Sequence, residues 1–312
     1  MNQNQRHAEA AAALQKTVDR GDPDDAPRAA VTLGTLRLES GDPAGAQRAF
    51  QAAKDSGHPE YAPRGAVLVG IRLMEAGDWD RARRAFEQAI TSHHPQHAPS
   101  AWVMKGMLLE KQANPAAANA AYRTAIDSGN PEYAPLAAVG LGLLLQRQGD
   151  AIGAQKAYQT AIDSEHPDHA PFAMLLTGEY LTGGDLQSRE RFRNTAARYG
   201  NPDVLVSLAE LYIAEQEVPT ARRLLQQAAV LGNNVAAHSL QLFGLPDTHT
   251  ATSDAAPKAL LESAEENDTD SMNMLGLLAA VHGDVLEARS WWTKSASERD
   301  MIAPLLLSRH LG

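Results

Sequence analysis

The stretch Asp55-Ser56-Gly57-His58-Pro59-Glu60-Tyr61-Ala62-Pro63 returns almost unchanged along the chain. Upstream it reads Arg20-Gly21-Asp22-Pro23-Asp24-Asp25-Ala26-Pro27, and downstream Ser92-His93-His94-Pro95-Gln96-His97-Ala98-Pro99. Two further copies, at Asp127 to Pro135 and Asp163 to Pro171, complete five Ala-Pro pairs spaced by 36 residues. A period in this range marks stacked helical repeats, in which each unit buries its apolar face only against its neighbours. One elongated body is therefore expected from the 312 residues, rather than two globular domains.

Working outward from that stretch, Pro63 to Ala76 reads as a first helix: Pro suits the first helical position because its fixed φ is helical and its missing donor is no loss there. Gly77 is placed to close the helix in the left-handed conformation, and Asp78 to cap the next one. The second helix, Trp79 to about Thr91, carries Ala82, Phe86 and Ala89 on one face. Each repeat is thus a helical hairpin, and the quoted stretch is the joint to the next.

The second-helix triad serves as a ruler: Ala10/Leu14/Thr17, Ala46/Phe50/Ala53, Ala82/Phe86/Ala89, Ala118/Tyr122/Ala125 and Ala154/Tyr158/Ala161, in steps of 36. It continues as Ser188/Phe192/Thr195 and Ala221/Leu225/Ala228, in steps of 34 and 33, where the Ala-Pro extension is gone. In the first helices a small residue recurs at Gly34, Gly70, Gly106, Gly142, Gly178, Ala209 and Gly276. Mid-helix glycine costs about 0.5–1 kcal/mol relative to Ala, so close approach of the partner helix is the expected reason.

Composition agrees with an all-α chain. It is 44% hydrophobic with only 5% aromatics, which suits helices packed through small side chains. No apolar run reaches the length of a membrane span, and the opening Met1-Asn2-Gln3-Asn4-Gln5-Arg6 lacks the apolar core of a signal peptide, so a soluble cytoplasmic protein is expected. There are no cysteines, which excludes disulfides and thiolate chemistry. The net charge of −10 argues against nucleic-acid binding. Residues 1–165 hold 17 basic and 19 acidic side chains (−2) and residues 166–312 hold 11 and 19 (−8), so the acidity belongs to the C-terminal half.

These residues resemble the tetratricopeptide repeat (TPR) family, whose second-helix Ala-x3-Phe-x2-Ala is matched by the triads and whose first-helix Gly is matched by the recurring glycines. Trp102 is the only tryptophan at the family's position. Asp270 to Leu278, followed by Gly283-Asp284-Val285-Leu286-Glu287-Ala288-Arg289-Ser290-Trp291-Trp292, resembles the related Sel-like repeats. The resemblance implies a right-handed α-solenoid of stacked antiparallel hairpins, about eight of them. A regular array with an N-terminal capping helix is expected over residues 1–182. Shorter repeats follow over 183–312, with a polar loop at 244–253 and a closing helix, Ile302 to Leu311, in one continuous solenoid.

By the same resemblance, a concave groove is lined six and three residues before each small residue and one and four after it. The lining set is Arg28, Val31, Thr35, Leu38; Arg64, Val67, Ile71, Met74; Ser100, Val103, Met107, Glu110; Leu136, Val139, Leu143, Gln146; and Phe172, Leu175, Glu179, Thr182. The Lys and Asn of the family's carboxylate clamp are absent, leaving an apolar stripe with Arg28 and Arg64 at one end. Such a stripe suits an amphipathic helix or apolar peptide of a partner protein. The competing reading packs the valines between adjacent first helices.

No phosphate loop, His-Glu-x-x-His or nucleophile elbow is present, so no catalysis and no cofactor are expected. His58, His94 and His166, with Asn130 at the fourth copy, are read as caps that end one helix and start the next. Within one turn only His94/His97 or His166/His169 could chelate together, short of the three or four ligands a metal needs, so no metal site is expected. Glu265, Glu266, Asp268 and Asp270 are read as a solvated charge run, Arg189, Arg191 and Arg193 as exposed helix surface. One of Trp291 and Trp292 is expected to fill the triad position. The expected function is a non-catalytic protein-interaction scaffold. The alternatives are a sensor that binds a small molecule or signalling peptide, and self-assembly into a homo-oligomer through the terminal helices.

Overall fold

The computed structural model describes residues 3–243, 255–298, 300 and 302–311, so the loop expected at 244–253 lies outside the described residues. All regular structure among them is helical, in 18 helices. No helix among them is long and apolar enough to cross a membrane. The chain forms two compact units, Met1–Ser164 and Glu165–Gly312.

The first unit holds α1 (Gln3–Arg20) and four hairpins: α2 (Asp25–Glu39) with α3 (Pro43–Asp55), α4 (Tyr61–Glu75) with α5 (Trp79–Thr91), α6 (His97–Lys111) with α7 (Pro115–Asp127), and α8 (Tyr133–Arg147) with α9 (Ala151–Asp163). Each first helix begins two residues before its Ala-Pro proline, so Pro63 is the third helical residue and not the first; its missing donor still falls among those that lack an intrahelical partner. Gly77 takes φ +77°. Its N–H and that of Asp78 donate back to Met74 O and Leu73 O at 3.1 and 2.9 Å. The Asp78 carboxylate then accepts from Arg81 N at 3.2 Å, capping α5.

The recurring glycines of the first unit meet rings, whereas Gly178 in the second meets Phe192 Cβ and the Arg189 carbonyl. A Cβ built on Gly106 would stand 2.6 Å from Tyr122 Cε1. Gly34, Gly70 and Gly142 lie under Phe50, Phe86 and Tyr158 in the same way. The close approach that offsets the helix cost of glycine is therefore that of the partner helix's aromatic ring. Phe86 and its flanking Ala82 and Ala89 are fully buried, in a core shared with Val67, Leu73, Ala101 and Leu108.

The second unit holds α10 (His169–Leu181), α11 (Leu186–Arg198), α12 (Pro202–Ala214), α13 (Val218–Val230), α14 (Asn234–Phe243), α15 (Ala255–Glu265), α16 (Thr269–Val281), α17 (Val285–Ser297) and α18 (Ala303–Leu311). Trp292 fills the triad position, fully buried with its ring under Gly276, while Trp291 is half-buried. The arginine run does not lie wholly on the surface. Arg191 is exposed, but Arg193 is buried among Glu179, Glu190 and Glu215. The acidic run divides likewise: Glu265 and Glu266 are exposed, Asp268 caps α16 through Ser271 N, and Asp270 is half-buried.

Candidate functional site

The face expected to line the groove divides by angle around the helix. With about 100° per residue, the position one after each glycine lies about 100° from it, and the position three before lies only about 60° away. The first set stays accessible: Thr35 is exposed, and Ile71, Met107 and Leu143 are half-buried. The second set enters the core. Val31, Val67, Val103, Val139 and Leu175 are buried, as is Ser100, so these six expected groove residues cannot touch a partner. Arg28 and Arg64 are exposed, Arg28 paired with Asp25 at 2.8 Å. Leu136 and Phe172 are half-buried.

The position four after each glycine faces the ring of its own hairpin, and the residue there matches the ring. Phe50 is paired with Leu38 and Phe86 with Met74, whereas Tyr122 and Tyr158 are paired with Glu110 and Gln146. Tyr122 Oη donates to Glu110 Oε1 at 2.5 Å, and Tyr158 Oη to Gln146 Oε1 at 2.7 Å. A buried phenol needs an acceptor, and Glu110 also pairs with Arg147. These two polar residues are structural partners within their repeats. Their signal, a Tyr twelve residues after a Glu or Gln, was present in the sequence.

The repeated stretch does two things at once. First, its cap residue accepts from the start of the next helix: His58 Nδ1 from Glu60 N and Tyr61 N at 3.1 and 3.2 Å, Asn130 Oδ1 from Glu132 N and Tyr133 N at 3.0 Å. His94 Nδ1 accepts likewise from Gln96 N and His97 N at 3.2 and 3.3 Å. A histidine accepting at Nδ1 carries its proton on Nε2. Second, the far side of the same side chain reaches the preceding turn. His94 Nε2 stands 2.7 Å from Glu60 Oε2, and Asn130 Nδ2 donates to Pro95 O and Gln96 Oε1 at 3.0 and 3.2 Å. Within the second unit, Asn201 Nδ2 reaches Asp168 at 2.9 Å and Asn233 Nδ2 reaches Asp203 at 3.1 Å. In these turns His94 and Asn130 of the first unit, and Asn201 and Asn233 of the second, each serve as cap and as rung to the turn before.

At one rung more is assembled. His97 Nε2 lies 3.4 Å from Glu60 Oε1, and its ring stacks on His94 with centroids 4.4 Å apart. Neighbouring turns were expected to stand too far apart for this; the Glu60 side chain spans the gap. Its hydrogen bond from His94 holds the Glu60 carboxyl below the usual carboxylate range, while burial, followed by the charge of His94, pushes His97 down.

In the second unit the comparable face is occupied. Glu179, one after Gly178, accepts from Arg193 Nε at 2.6 Å and from Arg309 of α18 at 2.7 Å. Arg309 also pairs with Glu215 at 3.0 Å, and Ile302, Ala303 and Leu306 are buried. Helix α18 is thus seated on the second unit's own helices, α12 among them. Deeper in this unit, fully buried Glu210 accepts from Asn273 Nδ2 at 3.1 Å, and Asn273 Nδ2 also reaches Asp300 at 3.0 Å. Burial, followed by Asp270 and Asp300, holds the Glu210 carboxyl well above its ordinary range.

Residues 70–133 and 103–151 match the model of the tetratricopeptide repeat family. Yeast Tom70 is similar over 99% of this chain and 64% of its own, with a TM-score of 0.53 at 13% identity. The human IFIT1 dimer with PPP-AAAA is similar over 94% of this chain and 69% of its own, with a TM-score of 0.51 at 13% identity. A Sel1 repeat protein from Oxalobacter formigenes aligns over 96% of this chain and 89% of its own, with a TM-score of 0.40 at 18% identity. Likeness at such identities is one of fold. No curated protein matches the chain.

Proposed function

We propose that this chain, whose residues 70–133 and 103–151 match the tetratricopeptide repeat family, is a protein-interaction scaffold whose first unit docks an amphipathic helix of a partner protein. The docking face is the accessible part of the first helices: Thr35, Leu38, Ile71, Met74, Met107 and Leu143, with Arg64 at its edge. The observation that carries this reading is the half-buried row Ile71, Met74, Met107 and Leu143 on helices whose other sides are packed into the stack. Such a row is apolar and unbranched or γ-branched for the most part, and methionine adapts its shape to the ligand. The second unit supports the choice of occupant, since its own α18 brings buried leucines and Arg309 to Glu179, the residue in the same register position.

The buried valines are unsuitable for testing this, because a charge there would unfold the repeat. Met74→Glu with Met107→Glu alters the accessible row instead. The expected outcome is that proteins recovered from native extract by the wild-type chain are lost with the double variant, at unchanged helical circular dichroism. Unchanged recovery would refute the docking face.

A further inference from the structure

We propose that Glu60, His94 and His97 form a binding site for a divalent transition cation of the zinc class. One ligand atom from each of the three residues lies within 4.8 Å of the other two. Two imidazoles and one carboxylate suit zinc, nickel or copper, whereas magnesium and calcium take oxygen ligands. The histidines are largely shielded and held by their stacking, and Glu60 is half exposed, so the carboxylate can move in to metal-ligand distances of about 2.0–2.2 Å.

A second observation comes from the pattern of the repeats. Capping and the rung between turns need only an acceptor and a donor, which Asn130 supplies without histidine. Neither function calls for His97. Yet where the turn carries His97 the preceding turn offers Glu60, and where it carries Tyr61 or Tyr133 the preceding turn offers Asp24 or Gln96. The sequence repeats the full combination once more, as Glu132, His166 and His169. Glutamate and the second histidine thus occur together both times and never singly.

Two features weaken the affinity. Arg64 lies close enough to His97 to act on it as a like charge. His94 carries its proton on Nε2, so coordination there moves that proton to Nδ1, with no change of net charge, and gives up the bonds from Gln96 N and His97 N. The lost cap lowers the affinity about tenfold. A three-ligand site with this handicap binds in the micromolar range.

The test is calorimetric titration of zinc chloride into the full chain, its H94N variant and its H97Y variant. Asn and Tyr are native at the equivalent positions 130 and 133, so both variants keep the joint, and their metal-free melting temperatures should match the wild type. Should either melt lower, E60Q at the half-exposed carboxylate supplies the same comparison. The expected result is saturable micromolar binding to the wild type and one fewer zinc ion per chain in each variant. Absence of saturable binding in the wild type, or an isotherm that none of the variants changes, overturns the site.

Discussion

The two units are built from the same hairpin and held together differently. Among the described residues of Met1–Ser164, the buried polar side chains are Ser100 and Asn130; in Glu165–Gly312 they include Arg193, Glu210, Asn201, Ser271 and Asn273. Where the period is constant, the joint between repeats is made by one turn used again and again, and the core is alanines, aliphatic side chains and aromatic rings seated on glycines. Where the period shortens and the Ala-Pro turn is lost, Asn201 and Asn233 keep the joint between turns, buried ion pairs are added to it, and α18 covers the face around Glu179. In this chain the accessible face goes with the uniform turns, and the covered face with the unit that buries ion pairs.

The comparison breaks most readily at the buried arginine. Arg193→Ala removes the buried partner shared by Glu179 and Glu215, leaves Arg309 as the cation they still share, and should destabilise the second unit by about 3 kcal/mol, the low end for a broken buried pair, read from chemical denaturation. Arg147→Ala, which removes an exposed partner of Glu110, should cost about 1 kcal/mol or less. Equal costs would mean that charge plays the same part in both units. Next in size is Gly70→Leu, which drives a side chain into the Phe86 ring and should cost about 1–3 kcal/mol.

A smaller effect is expected with pH. The raised pKa of Glu210 means that the folded second unit keeps a proton that the unfolded chain has released. Its contribution is full below the ordinary glutamate pKa, about 4.3, and is lost as pH rises through the raised folded value. Glu210→Gln should therefore gain denaturation midpoint over the wild type at mildly alkaline pH and show a flatter pH profile; parallel profiles would contradict this. Smallest is Ala113→Gly. Ala113 adopts φ +54° where Gly77 and Gly149 serve in neighbouring repeats, so the substitution should stabilise the first unit by about 1 kcal/mol.

Much of this was legible in the sequence. The 36-residue period, the glycines and the triads give the hairpins, and Asp78 and Gly77 give their turns. The histidine turns were readable as caps, because an Asn in the fourth copy shares that capacity and little else with His. The groove was legible only in part: valine and isoleucine are equally apolar, and what separates Val67 from Ile71 is a difference of angle around one helix. Arg193 looked like its neighbours Arg189 and Arg191, since its burial depends on Glu179 and Glu215 from outside its helix, beside Glu190 one turn away on it. Arg309 meets Glu179 across 130 residues, a pairing that no local pattern encodes. Glu60 carries no local signal as a partner of His94 and His97, because it lies 34 and 37 residues before them and meets them only through the reach of its side chain.

The central claim is that the first unit's accessible row is the docking face. A photo-crosslinking residue placed at Ile71, Met74 or Met107, with Arg84 on the exposed side of α5 as the reference, tests it in native extract. The account predicts partner adducts from the three row positions and none from Arg84; adducts of equal yield at all four, or at Arg84 alone, would contradict it.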